Sequence, residues 1–250
     1  MIADLSLLVF AGALIFARLG AILMLLPGFG EGSIPPRIRL AFALLFALAL
    51  GPMLAGEMPA QPERPLQIAG LIINEVLIGL MIGSVARMFL ASAAVAGQVI
   101  GQQTGLAMAQ VFDPSQGQQG ALMATFLNLT FMLLLFATNI HHLLLQAAQG
   151  SYSIFPVGQL PMIEDAAQWA LNAFADAFMI GVQIASPLIV FGLVFYFGLG
   201  ILSRLMPQAQ IFFIAMPVNI MAGLFITAIA LGSMATLWLS RMERFAVEFQ

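Results

Sequence analysis

Residues 97–120 read GQVIGQQTGLAMAQVFDPSQGQQG and lie between apolar runs long enough to cross a bilayer. The stretch is rich in glutamine and glycine, has no basic residue, and holds an apolar patch, Leu106 to Phe112, at its centre. In lipid such a segment is costly, because its amides need hydrogen-bond partners. Irregular polar backbone is tolerated at membrane depth only where protein encloses it or where it lines a watery path. The feature points to a conduit or gate before it points to an enzyme.

Composition narrows the class. Hydrophobic residues make up 62% of the chain and charged residues 8%, against roughly 25% charged in a soluble domain. The expectation is an all-α integral membrane protein with little soluble mass. All the basic residues are Arg, and a net charge of −3 over 250 residues implies no nucleic-acid partner. With no cysteine, disulfides and thiolate metal sites are excluded. The N-terminus lacks a basic n-region and its apolar run is too long for a signal sequence, so it is expected to be a retained helix.

A span needs about 20 mostly apolar residues. Residues 5–26, 40–55, 66–96, 121–148, 169–206 and 211–239 are the candidates. The fifth is too long for one crossing, and Pro187 near its middle predicts a kink or a hairpin, which would raise the count to seven. The connectors 27–36, 56–65, 151–161 and 203–210 are marked by Pro, Gly and polar residues. The arginines do not fix orientation. With six spans, Arg37, Arg39 and Arg204 fall on one side and Arg64, Arg241 and Arg244 on the other.

Small residues recur at every fourth position: Ala93, Gly97, Gly101, Gly105 and Ala109. On a helix they form one stripe, along which another backbone can approach closely. Gly79 and Gly83 make a second pair. Packing within this chain and packing on a neighbouring subunit are both open. Gln98 and Gln102 share a face beside the stripe and are read first as interhelical hydrogen-bonding groups, with a pore-facing role as the alternative.

Arg18, Glu75, Arg87 and Asp176 sit inside apolar runs. Ionisable groups there are functional suspects, and acids such as Glu75 and Asp176 would suit proton coupling. Internal ion pairing that holds helices in register is the favoured reading. His141 and His142 are adjacent, so they are expected on different faces of a helix and not as a metal pair. No P-loop, nucleophile elbow or HExxH sequence occurs. No catalytic, cofactor or metal site is expected.

Several motifs together resemble one family. PGFGEGSIPPRIRLAFAL (27–44), NEVLIGLMIG (74–83), GQQTGLAMAQVFDPSQ (101–116), NIHHLLLQAAQGSYSIFPVG (139–158) and MPQAQIFFIAMPVNIMAGL (206–224) occur in that order. The ordered set resembles FliR, the flagellar export-gate family whose relatives serve virulence type III secretion, and covers essentially the full length.

The resemblance implies about six long hydrophobic helices, some kinked or paired as hairpins, with a re-entrant plug loop. It implies two structural parts, near 1–165 and 166–250, akin to FliP and FliQ. It implies a structural subunit of the type III export gate in the bacterial inner membrane, within the flagellar basal body. FliP- and FliQ-like subunits would be its partners, with FlhB- and FlhA-like export proteins, exported flagellar polypeptides and membrane lipid. The plug would be carried by Leu106, Met108, Val111, Phe112, Asp113 and Pro114. Methionine suits such a place because it adapts to changing contacts. The alternative from another class is a small-molecule or proton-coupled secondary transporter. That reading asks for matched broken helices in two halves, and the breaks at 97–120 and 203–210 do not match.

Overall fold

A computed structural model describes residues 2–54, 56, 58–107, 122–158, 163–206 and 211–249. Seven long helices run through them: α1 (Ile2–Leu25), α2 (Pro36–Leu54), α3 (Pro65–Gln103), α4 (Leu122–Ala137), α5 (Ile140–Ile154), α6 (Ile163–Leu205) and α7 (Ile211–Val247). Five are long and apolar enough to cross a membrane, or six if the consecutive pair α4 and α5 is one broken span.

Local chemistry explains most boundaries. α2 and α3 both begin on proline, Pro36 and Pro65. There the missing N–H costs nothing and the fixed φ already suits a helix. After α1 the chain turns through Gly28, whose φ of 85° is a left-handed value that glycine adopts freely.

Four expectations are corrected. First, residues 97–103 continue α3 as helix, although their polarity suggested irregular backbone. The small side chains of the stripe let that last part pack, and a helix satisfies its own backbone whatever the polarity of its side chains. Second, Pro187 makes no hairpin and lies inside the continuous helix α6. One lost N–H bond among 43 residues does not end a helix whose apolar surface favours helical backbone on both sides. Third, the run 121–148 is not one helix. It breaks after Ala137, and Asn139 takes a left-handed φ of 60°; asparagine is one of the few non-glycine residues that tolerates it. Fourth, α7 extends past Leu239 to Val247, through Arg241, Glu243 and Arg244.

The chain divides into two compact units. The first is Met1–Met88, Leu135–Phe174 and Met242–Gln250. Its core holds Leu14, Ile15, Leu19 and Ile22 of α1, Ile78 and Ile82 of α3, and Leu144 of α5, all essentially enclosed. An open, largely apolar groove of about 630 Å³ lies between α1 and α2, beside Gly12, Gly51 and Pro52. Near the C-terminus, Trp169 meets Phe245 and Phe249 at ring distances of 6.5 and 6.0 Å.

The second unit is Phe89–Leu134 and Ala175–Arg241. Trp238 is enclosed in it, stacks on Phe131 at 5.1 Å and donates its indole N–H to the Phe89 carbonyl at 2.9 Å. That bond lets a large amphipathic ring be buried without leaving its N–H unmet. Much large apolar surface stays outside both cores, including Leu45, Leu48, Leu133, Phe197, Phe213 and Phe225. Continuous exposure of this kind fits a chain whose surroundings are lipid or other apolar helices.

Candidate functional site

Of the glycines singled out in the sequence, Gly79, Gly83 and Gly97 lie hard against a neighbouring helix. A Cβ built on Gly79 would come within 2.5 Å of the Arg18 carbonyl oxygen and 2.7 Å of the Ala21 Cβ. One on Gly83 would lie 2.9 Å from the Leu25 Cβ and 3.0 Å from the Ile22 carbonyl oxygen. So α3 rests on α1 through this pair with no room for a methyl group. One helical stretch further on, a Cβ on Gly97 would fall on the backbone of Met123 and Ala124 in α4. Gly101 is buried as well. Gln98 and Gln102 stand exposed on the same stretch, Gly97 packs on α4 within this chain, and Ala109 lies outside the described residues.

The intramembrane charges divide into a pair, a looser pair and an exposed acid. Arg18 Nε donates to Glu75 Oε2 at 2.6 Å, with both side chains fully enclosed. Its Nη1 donates to the carbonyls of Ser151 and Phe155 at 3.1 and 2.8 Å, and its guanidinium lies 4.2 Å over the Tyr152 ring. Ser151 and Phe155 carry carbonyls at the end of α5, where a helix presents negative partial charge and a cation is favoured. One arginine thus ties α1, α3 and the end of α5 together. Arg87 reaches the Glu31 carboxylate at 3.3 Å and is 41% exposed, as suits a weaker, partly solvated contact. Asp176 is exposed on α6. The histidine expectation needs correcting: the rings of His141 and His142 meet at 4.0 Å, and His141 lies 4.9 Å from Phe136. They sit in the first turn after the break, where no preceding turn of the helix constrains the side chains.

At the end of α3 the chain is handed to the apolar patch. Leu106 is half-buried there; Met108, Val111, Phe112, Asp113 and Pro114 lie outside the described residues. Gly105 has a φ of 76°, the left-handed value that commonly closes a helix and that a side chain makes costly. α6 and α7 reach this end through glycines as well. A Cβ on Gly192 would fall on the Gln103 side chain, and one on Gly223 on that of the fully buried Thr104. Asn219 of α7, 3% exposed, bonds the Gln103 carbonyl at 3.1 Å. Asn219, Trp238 and the Tyr152 face were not singled out in the sequence. Only the indole, a buried-type residue that needs an acceptor, carried a usable signal.

Among the described residues no group of three or more His, Cys, Asp or Glu could hold a metal ion. What the arrangement offers is close helix packing, one enclosed ion pair, and a firmly held helix end leading into the 108–121 segment.

Comparison with known proteins places this framework. Residues 9–245 match the profile of a family described as bacterial export proteins, family 1. The flagellar biosynthetic protein FliR of Caulobacter vibrioides is 44% identical over 233 residues, 93% of each chain. The protein of the same name from Bacillus subtilis is 30% identical over 210 residues, covering 83% of this chain and 80% of the relative. The Yop proteins translocation protein T of Yersinia pestis is 31% identical over 153 residues, 60% of this chain and 58% of that one.

Proposed function

This chain belongs to the FliR family of bacterial export proteins, and from that premise we propose that it is a pore-forming subunit of the flagellar type III export gate. It is a structural membrane component of the export apparatus and not an enzyme. It resides in the inner membrane and associates with other export proteins. The observation that carries this reading is the near-complete match to a flagellar relative, 93% of each chain, on a framework of five or six membrane-length helices.

The finer proposal is that FliP- and FliQ-like subunits assemble with it into a closed ring within the basal body, next to FlhB- and FlhA-like proteins. Residues 1–165 and 166–250 are proposed as its FliP-like and FliQ-like parts. Leu106, Met108, Val111 and Phe112, followed by Asp113 and Pro114, are proposed to plug the resting pore and to be displaced by unfolded flagellar polypeptides. Exposed apolar side chains on nearly every helix support an assembly in which partners and lipid cover them. The glycines that pack α3 closely on α1, and those that pack it on α4, support a structural role for these helices. No observation favours the secondary-transporter alternative.

Co-purification tests the assembly. Expressed with its FliP- and FliQ-like neighbours, the chain is expected in one monodisperse complex; expressed alone, it is expected to aggregate. A monodisperse, folded chain without partners that transports a small solute would contradict the proposal.

A further inference from the structure

A helix leaves its last four carbonyls without partners in the next turn, and each needs a donor. At the end of α3 that accounting closes. Ile100 O accepts from the Thr104 N–H and from the Thr104 hydroxyl, both at 2.9 Å. Gly101 O accepts from the same hydroxyl at 3.3 Å. Gln102 O accepts from the Gly105 N–H at 3.2 Å. These three are served by the helix end itself. The fourth, Gln103 O, accepts from Asn219 Nδ2, a donor on a different helix 116 residues away.

The orientation of that amide follows from chemistry. A carbonyl oxygen can only accept, so the nitrogen of Asn219 must face Gln103. Its second hydrogen points to the Tyr196 hydroxyl oxygen at 3.3 Å. Next to the amide is a small cavity of about 20 Å³, lined in part by Gly105, Tyr196 and Asn219. Thr104, Gly105 and Leu106 follow Gln103 at once, so whatever fixes the Gln103 carbonyl fixes the direction in which the chain leaves α3.

We infer that Asn219 is a positioning residue for the start of the apolar patch at Leu106: by holding the last carbonyl of α3 it sets the direction in which Gly105 and Leu106 leave that helix. The inference rests on the plug reading above. Asn219 does not touch the exported chain; it acts through Gln103 and Gly105. Aspartate at 219 keeps the shape but replaces the donor with an acceptor facing a carbonyl. Glutamine keeps the donor on a longer stem. Phenylalanine at Tyr196 removes only the second acceptor and leaves the bond to Gln103.

The chain has no cysteine, so Leu106→Cys gives a single reporter in this subunit. It is to be labelled with a maleimide in the assembled complex, against a control cysteine at Ser203. Asn219→Asp is expected to speed labelling at 106 by about three- to tenfold, the shift that loss of one hydrogen bond to a buried carbonyl supports. Labelling at 203 should stay unchanged. Asn219→Gln and Tyr196→Phe should both stay near wild type. Equal labelling at 106 with Asp or Asn at 219 overturns the inference, as does an equal rise at 203. If the Asp variant does not assemble, Asn219→Ser decides by the same two rates, because its hydroxyl is too short to span the gap. Ion leak across the inner membrane is measured in parallel with a variant carrying Gly at Met108, Val111 and Phe112. No leak there sinks the plug reading, while the labelling rates still judge the role of Asn219.

Discussion

Arg18 and Glu75, 57 positions apart in the chain, form a 2.6 Å ion pair that neither solvent nor lipid reaches. Two carbonyls at the end of α5 accept from the guanidinium's Nη1. Removing one member leaves a buried charge with no counterion, which typically costs about 3–5 kcal/mol. Arg18→Met or Glu75→Leu alone should therefore sharply lower the yield and the thermal midpoint of the assembled complex. The double replacement should recover part of the loss, since no charge remains. Only part returns, because the Phe155 carbonyl still loses its bond from Arg18 and the Ser151 carbonyl keeps only the Phe155 N–H. A double variant no better than either single one would show that the pair is not a mutually compensating unit.

Gly97→Ala should be nearly as harmful as Gly97→Leu, because even a methyl group would fall on the α4 backbone. Overpacking of this kind costs about 1–3 kcal/mol. Gly12→Ala is the control, since a Cβ there meets nothing within 4 Å, and it should gain up to about 1 kcal/mol of helix propensity. Thermal unfolding of the purified complex reads both. A Gly97→Ala complex as stable as wild type would place the stripe against yielding surroundings.

Trp238→Phe keeps the stacking on Phe131 and removes the indole N–H that serves the Phe89 carbonyl. The Phe89 carbonyl still accepts from the Ser92 hydroxyl at 2.6 Å, so the expected loss is that of one hydrogen bond, about 0.5–1.5 kcal/mol. Trp238→Ala adds a cavity and should cost about 3–5 kcal/mol. Denaturation midpoints of the two variants should rank in that order. Equal midpoints for Phe and wild type would mean that the indole bond adds nothing to the Ser92 bond on the same carbonyl.

What the sequence made legible follows from how local each cause is. The start of α3 beside Pro65 was legible, because a proline's effect lies in its own ring, whereas α2 starts at Pro36, ahead of the apolar run expected from residue 40. The break at Asn139 was not legible, since asparagine tolerates a left-handed turn without requiring one. Pro187 misled for the opposite reason: its local cost is real, but the apolar runs on both sides outweigh it. The glycines of α3 were legible as a close-packing surface, yet their partners in α1 and α4 were not, because spacing records a face and not what covers it. The partner of Arg18 was hidden in the same way. Asn219 passed unnoticed, because one amide in an apolar helix looks the same whether it binds a neighbouring helix end or faces outward.

The seal is the central claim, and it is tested by ion and small-solute leakage across the inner membrane of cells carrying the assembled gate. With Gly at Met108, Val111 and Phe112 together, complex assembly should stay near wild type while leakage rises, because apolar side chains that exclude water have been removed. Export should persist, since a plug blocks and does not catalyse. A variant complex that assembles at wild-type levels and leaks no more than wild type would contradict the account.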